Sequence, residues 1–198
     1  MRPAFYIVAA NVVMFALQLI IPGFTELFGL TPTLATNGMF WQFFSYMFLH
    51  GSFFHIAINM FVLMIFAPRV EEIVGRTRFL ILYFASGIVS GMFYLLLTGT
   101  GSQILMLGAS GAVYAIVAAF AILYPKEVIF VYFMPLPAAV VLVLLVLMES
   151  FFGFFNLQAG VANFGHLGGL IAGAALMLYW KKKKIAERKQ IMEYVVHI

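Results

Sequence analysis

The chain has 198 residues, 65% of them hydrophobic and 9% charged, with a formal net charge of +4. Its mean hydropathy is +1.08, more apolar surface than a soluble domain of this size can bury, which leaves a polytopic membrane protein. Cysteine is absent, which excludes a disulfide framework and Cys-type metal sites.

Taken in order, the sequence predicts an all-α bundle of six membrane spans: Ala4 to Ile21, Phe53 to Ala67, Phe79 to Leu97, Ser110 to Tyr124, Ala138 to Phe155 and Phe164 to Trp180. Met1-Arg2-Pro3 precedes a long apolar run, and no A-x-A-like site stands before Pro22-Gly23. The run therefore reads as a retained span rather than a cleaved signal peptide. Pro22 to Ser52 is a long connection holding Trp41, Tyr46 and several phenylalanines, too aromatic for a solvated loop and suited to the membrane interface. The six-helix domain spans 1–180, and 181–198 form a basic cytoplasmic tail.

The basic residues are Arg2, Arg69, Arg76, Arg78, Lys126, Lys181 to Lys184, Arg188 and Lys189. With six spans all of them fall on one side, which the positive-inside rule makes cytoplasmic, together with both termini. The run Lys181 to Lys184 reads as an anchor at anionic lipid headgroups, not as a nucleic-acid site.

The fourth span is short. Its fifteen residues make a helix of about 23 Å, less than a hydrocarbon core of about 30 Å. Ser110, at its start between glycines, is thereby held inside the bilayer. Spans two, four and six run in the same direction, so depths compare by counting back from the first cytoplasmic charge. Ser110 lies about 24 Å from Lys126, His166 about 22 Å from Lys181 and His55 about 21 Å from Arg69. Three polar groups share one level.

Polar groups at membrane depth are functional candidates. The chain has no Asp and no H-E-x-x-H, which excludes aspartyl and zincin-type chemistry, and its lysines lie at the cytoplasmic surface. Ser110 and His166 remain, as a nucleophile and general base. No carboxylate stands at that level on spans two, four or six. Glu149, on span five, reads as structural or pore-directed, so the expectation is a dyad without a third acid. Tyr114, one turn below Ser110, can pack on the imidazole. His55 and Asn59, an i, i+4 pair, offer uncharged donors for an oxyanion, with the N–H groups that open the Ser110 helix. His50 reads as a structural hydrogen-bonder of the connection. Gly169 and Gly173 share the His166 face of span six, and Gly111, Ala115 and Ala118 or Ala119 give span four a smooth face for it. Phe151 to Phe155 read as a lipid-facing aromatic belt.

These residues together resemble the rhomboid family of intramembrane serine proteases over nearly the whole chain. Gly108-Ala109-Ser110-Gly111 is similar to the family's G-x-S-G, and Tyr114 to the tyrosine that stacks on its catalytic histidine. His166-Leu167-Gly168-Gly169-Leu170-Ile171-Ala172-Gly173 looks like H-x-x-G-x-x-x-G, and His55 to Asn59 like the H-x-x-x-N of the oxyanion site. Trp41, and Glu71 with Gly75, fit further family positions. Two positions depart: Gln42 stands where many members have Arg, and Ala67 where many have Gly.

The resemblance implies a protease without a cofactor, cleaving single-span or polytopic membrane proteins near the outer face through an acyl-enzyme. It implies a multi-pass protein of a bacterial cytoplasmic membrane, with substrate entering past span five and water reaching the site near the Thr98 to Gln103 loop. The alternative is an inactive rhomboid-like protein that binds membrane clients, although such relatives usually lack the Ser or the His. A transporter using Glu149 is a third reading, which the absence of an inverted repeat of broken helices disfavours.

Overall fold

The computed structural model describes residues 2–131, 133–155 and 162–196, with side chains up to Lys183. Helix α1 (Pro3–Ile20) leads into three short helices, α2 (Phe24–Phe28), α3 (Pro32–Thr36) and α4 (Gln42–Ser45), and a 3₁₀ turn (Tyr46–Phe48). Then come α5 (Phe53–Val74), α6 (Arg76–Thr98), α7 (Ser110–Leu123), the strands β1 (Val128–Val131) and β2 (Met134–Pro137), α8 (Ala138–Phe155) and α9 (Asn163–Val196). The protein is thus an all-α membrane bundle. Four helices, α1, α5, α6 and α8, are long and apolar enough to cross a bilayer, and α7 is a shorter apolar helix.

At three places the structure adds to or departs from the sequence reading. The second predicted span stops at Ala67, but α5 runs through Pro68 to Val74. The reading stopped at the charges; the helix does not, because Val70, Glu71 and Val74 still pack into the bundle. Residues 181–196 continue α9 as helix. The side chains of Lys184, Arg188 and Lys189 lie outside the described residues. The 128–137 connection, given no structure in the sequence reading, forms an antiparallel hairpin with Val128 opposite Pro137 and Val131 opposite Met134.

Helix α7 is the axis of the bundle. Every residue from Ser110 to Ala121 is buried except Tyr114, as expected of a helix apolar all round. It is enclosed by α5, α6, α8 and α9. Its small residues set how near the neighbours come. A Cβ at Gly169 of α9 would fall on the Gly111 carbonyl, and one at Gly173 on Ala115. The two backbones therefore touch directly, the close packing that small residues allow in lipid.

The connection before α5 is pinned by polar groups. Gln42 is fully buried: its Oε1 accepts from the Thr31 N–H at 3.1 Å, and its Nε2 donates to the Glu26 and Leu27 carbonyls at 3.3 Å. The glutamine in the usual arginine position is thus an internal cross-link. Trp41 Nε1 donates to the Leu27 carbonyl, and Ser45 Oγ to the Phe28 carbonyl. Phe40, Trp41 and Phe44 keep exposed rings, in accord with an interfacial segment.

At one end of the bundle the basic residues gather. Arg69 Nη1 meets Glu127 Oε1 at 2.8 Å, and this hydrogen bond holds the Glu127 carboxyl below its ordinary range. Lys181 Nζ donates to the Ile122 carbonyl, and the Arg78 guanidinium lies over the Trp180 ring. One glycine joins α5 to α6: Gly75 has φ of 82°, a left-handed conformation that side chains resist.

Candidate active site

The segment before α7 sets the geometry. Leu30 and Met106 form an isolated bridge between the first connection and this segment, and the Gly108 N–H donates to the Tyr46 carbonyl at 3.0 Å. Tyr46, fully buried, donates its hydroxyl to the Gly87 carbonyl of α6. Gly108 has φ of 128°. A Cβ there would lie 2.7 Å from His55 Cε1 and 2.9 Å from His55 Nε2, so glycine is needed for both conformation and space. Ser110 follows as the first residue of α7, buried.

His166 stands on α9, and its Nε2 lies 2.8 Å from Ser110 Oγ. For Nε2 to accept that hydroxyl, the ring proton must sit on Nδ1. Tyr114 stacks on the imidazole with ring centroids 4.6 Å apart and planes 9° apart. Ser90 Oγ of α6 donates to the Gly165 carbonyl at 2.7 Å, next to His166 in sequence. The structure therefore brings Ser110, His166, Gly108, Gly111, Tyr114, Gly169 and Gly173 together as one packed unit.

His55 and Asn59 divide their roles. The Gly51 N–H donates to His55 Nδ1 at 3.3 Å, which leaves the ring proton on Nε2, the atom that faces Gly108. An N–H donor therefore stands beside Ser110. Asn59 donates its amide to the His55 carbonyl at 2.9 Å, so its side chain is engaged by its own helix. His50 accepts from the Ala109 N–H through Nε2 at 3.5 Å, while its backbone N–H and carbonyl both bond the Gln18 amide. Burial first, then His55 nearby, pushes His50 down to about 3, leaving the lone pair free to accept.

The sequence reading gave Glu149 no part beside the pair, and the structure places it next to His166. Glu149 of α8 is buried, and its Oε1 lies 3.1 Å from His166 Nδ1. The oxygen is displaced from the line of an Nδ1–H, which meets no other acceptor. Tyr114 donates its hydroxyl to Glu149 Oε1 at 2.6 Å, and Asn163 donates to Oε2 at 2.8 Å. The sequence comparison of depths covered spans two, four and six, while Glu149, read there as roughly mid-membrane, stands on α8, which runs the opposite way after the 128–137 hairpin. Counted from Ala138, Glu149 lies about 17 Å up its helix, near the level of Tyr114, one turn below Ser110. The available signal was Glu149 itself, a carboxylate within an apolar span.

Above Ser110 and His166 opens a cavity of about 400 Å³, lined also by His55, Tyr94, Thr98, Met106 and Phe164, a size typical of ligand sites. Thr98 brings the start of the polar 98–103 loop to its edge. Among the described residues no three His, Cys, Asp or Glu side chains are grouped as metal ligands.

A bundle of apolar helices with a serine and a histidine in contact at its core defines a class, a multi-pass membrane protein with a hydrolase-like pair. The description "Rhomboid domain" matches residues 37–183, and the chain belongs to the rhomboid family. It is 28% identical to Rhomboid-like protease 3 of Toxoplasma gondii, over 75% of this chain and 54% of that protein. It is 31% identical to RHOMBOID-like protein 5 of Arabidopsis thaliana, over 77% and 48%. To the Putative rhomboid protease YdcA of Bacillus subtilis (strain 168) it is 29% identical, over 75% and 71%. The chain spans about half the length of the first two of these relatives.

Proposed function

We propose that the chain is an intramembrane serine endopeptidase that hydrolyses peptide bonds in or near the transmembrane segments of membrane proteins. The observation that carries this reading is the 2.8 Å contact of Ser110 Oγ with His166 Nε2, beneath a cavity and among apolar helices. The word protease in the names of the Toxoplasma and Bacillus relatives supports it.

As Ser110 Oγ bonds to the scissile carbonyl carbon, His166 Nε2 takes the hydroxyl proton. The oxyanion lies beside the His55 Nε2–H and the unpaired N–H groups of the first turn of α7. Collapse breaks the C–N bond, and His166 gives its proton to the leaving amine. Water then attacks the ester carbon as the same nitrogen takes its proton, and His166 returns that proton to Ser110 Oγ as the ester C–O bond breaks and the acid leaves. A substrate helix must unwind locally, because its amides are shielded by their own hydrogen bonds. It enters past α8, whose Phe151, Phe154 and Phe155 rings are exposed. The clustered basic end faces the cytoplasm, with both termini, in a bacterial cytoplasmic membrane.

The test is incubation of the purified protein with a panel of single-span membrane proteins, alongside labelling by a fluorophosphonate. Cleavage and labelling that vanish in Ser110→Ala and His166→Ala support the protease. Client capture without either reaction would favour the inactive, client-binding alternative.

A further inference from the structure

We propose that Glu149 is a positioning residue that extends the Ser110–His166 pair to a triad, its carboxylate receiving the His166 Nδ1 proton in a hydrogen bond. This rests on the protease reading above. Three donors from two helices converge on one buried carboxylate: the Tyr114 hydroxyl, the Asn163 amide and the His166 Nδ1 position. An ionised carboxylate accepts from all three at once and has no hydroxyl of its own to satisfy in this buried site. It lies on the side of the imidazole away from Ser110 and is not among the residues that line the cavity. No other acidic or basic side chain is in contact with this carboxylate among the described residues.

The arrangement has a chemical consequence. Ser110 can lose its proton to Nε2 only in the tautomer that protonates Nδ1, and an acceptor at Nδ1 selects that tautomer. When Nε2 gains the proton, the imidazolium is faced by an anion in a water-poor site. No proton passes to Glu149; the Nδ1 hydrogen stays on the ring throughout. The Tyr114 hydroxyl both stacks its ring on His166 and fixes the carboxylate, so one residue holds the plane of the imidazole and the position of its partner. The present misalignment at Nδ1 is of the kind that tightens when substrate seats.

A merely structural cross-link between α7, α8 and α9 makes different predictions. In Glu149→Gln the amide oxygen can still serve His166 and Tyr114 if the Asn163 amide turns over, so the packing stays and the charge goes. Expected are a kcat about 100-fold lower with KM unchanged, and a matching loss in fluorophosphonate labelling rate. Glu149→Leu should lose more, and Glu149→Asp should recover part of the rate. Tyr114→Phe should lower kcat, and its effect should not add to that of Glu149→Gln, because both remove one unit. NMR of isotope-labelled histidine in the full-length wild-type protein reads the tautomer directly. His166 should carry its proton on Nδ1, and Glu149→Leu should mix the tautomers.

The assignment is overturned if His166 in the wild type is protonated on Nε2. It is equally overturned if Glu149→Gln and Glu149→Leu fold and keep kcat within about two-fold of wild type. If the wild type neither labels nor cleaves, the protease reading fails instead, and the tautomer alone decides the contact. A variant that does not fold leaves the wild-type tautomer as the deciding result.

Discussion

Replacing Gly173 with Ala tests whether backbone contact between α7 and α9 is what assembles the site. Gly173 lies two turns from His166 and touches neither reacting group. A Cβ there would stand 2.6 Å from the Ala115 Cβ and carbonyl oxygen, whereas ordinary contact begins near 3.4 Å. The neighbours are backbone and a methyl, neither of which can swing aside, so the helices must separate by about 1 Å. The Ser110–His166 bond spans this interface and is 2.8 Å long. Lengthened by about 1 Å it ceases to be a hydrogen bond. A misplacement of that size costs about 100-fold in rate, and the overpacking itself costs about 3 kcal/mol of stability. The assay is the rate of Ser110-dependent fluorophosphonate labelling beside thermal unfolding in detergent. Gly87→Ala serves as the control, because the three atoms nearest its Cβ all belong to the flexible Met47 side chain, and it should slow labelling far less. Wild-type labelling and wild-type stability in Gly173→Ala would refute the reasoning.

Gln42→Met should destabilise the protein by about 2 kcal/mol, because it strands the buried Thr31 N–H and takes a donor from the Glu26 carbonyl, while the Leu27 carbonyl keeps the Trp41 indole; chemical denaturation reads this, and a change under about 0.5 kcal/mol would contradict it. His50 has a pKa of about 3 when folded, against about 6.5 when unfolded. Its neutral form is therefore favoured by folding, and the stability it contributes is complete above about 6.5 and lost as pH falls from there toward 3, at about 1.4 kcal/mol per unit. The fall in melting temperature between about pH 7 and pH 4.5 should accordingly be shallower in His50→Gln, and parallel curves would count against it. Removing the donor beside Ser110 in His55→Ala should lower kcat about 100-fold, whereas Asn59→Ala should cost about ten-fold or less, since its amide is bound to its own helix; steady-state kinetics separates the two, and equal losses would mean that Asn59 reaches the oxyanion.

Much of the site was legible along the chain because its parts obey local rules. Ser110 heads a helix too short for the bilayer, and counting from cytoplasmic charges set it level with His55 and His166. Those three helices run the same way and share a baseline, so one rise per residue suffices. Gly169 and Gly173, a turn apart on the His166 face, announced a close contact, though not how fully the two backbones would meet. The run of α5 through Pro68 and the 128–137 hairpin were not legible, since the first depends on neighbours that keep packing beyond the charges. The second is a short segment with no alternation strong enough to declare itself.

What the amino-acid order determined by itself was the membrane setting, the candidate nucleophile and base, and the smooth faces on which their helices could approach. Only the tertiary structure decided the company they keep. Glu149 reaches His166 across an antiparallel neighbour, and Gln42 reaches Thr31, Glu26 and Leu27 by the fold of the first connection. Neither contact follows a helical period, because each depends on how separate elements are shifted and rotated against one another. That choice is made by the packing of many side chains at once and is written in no single stretch.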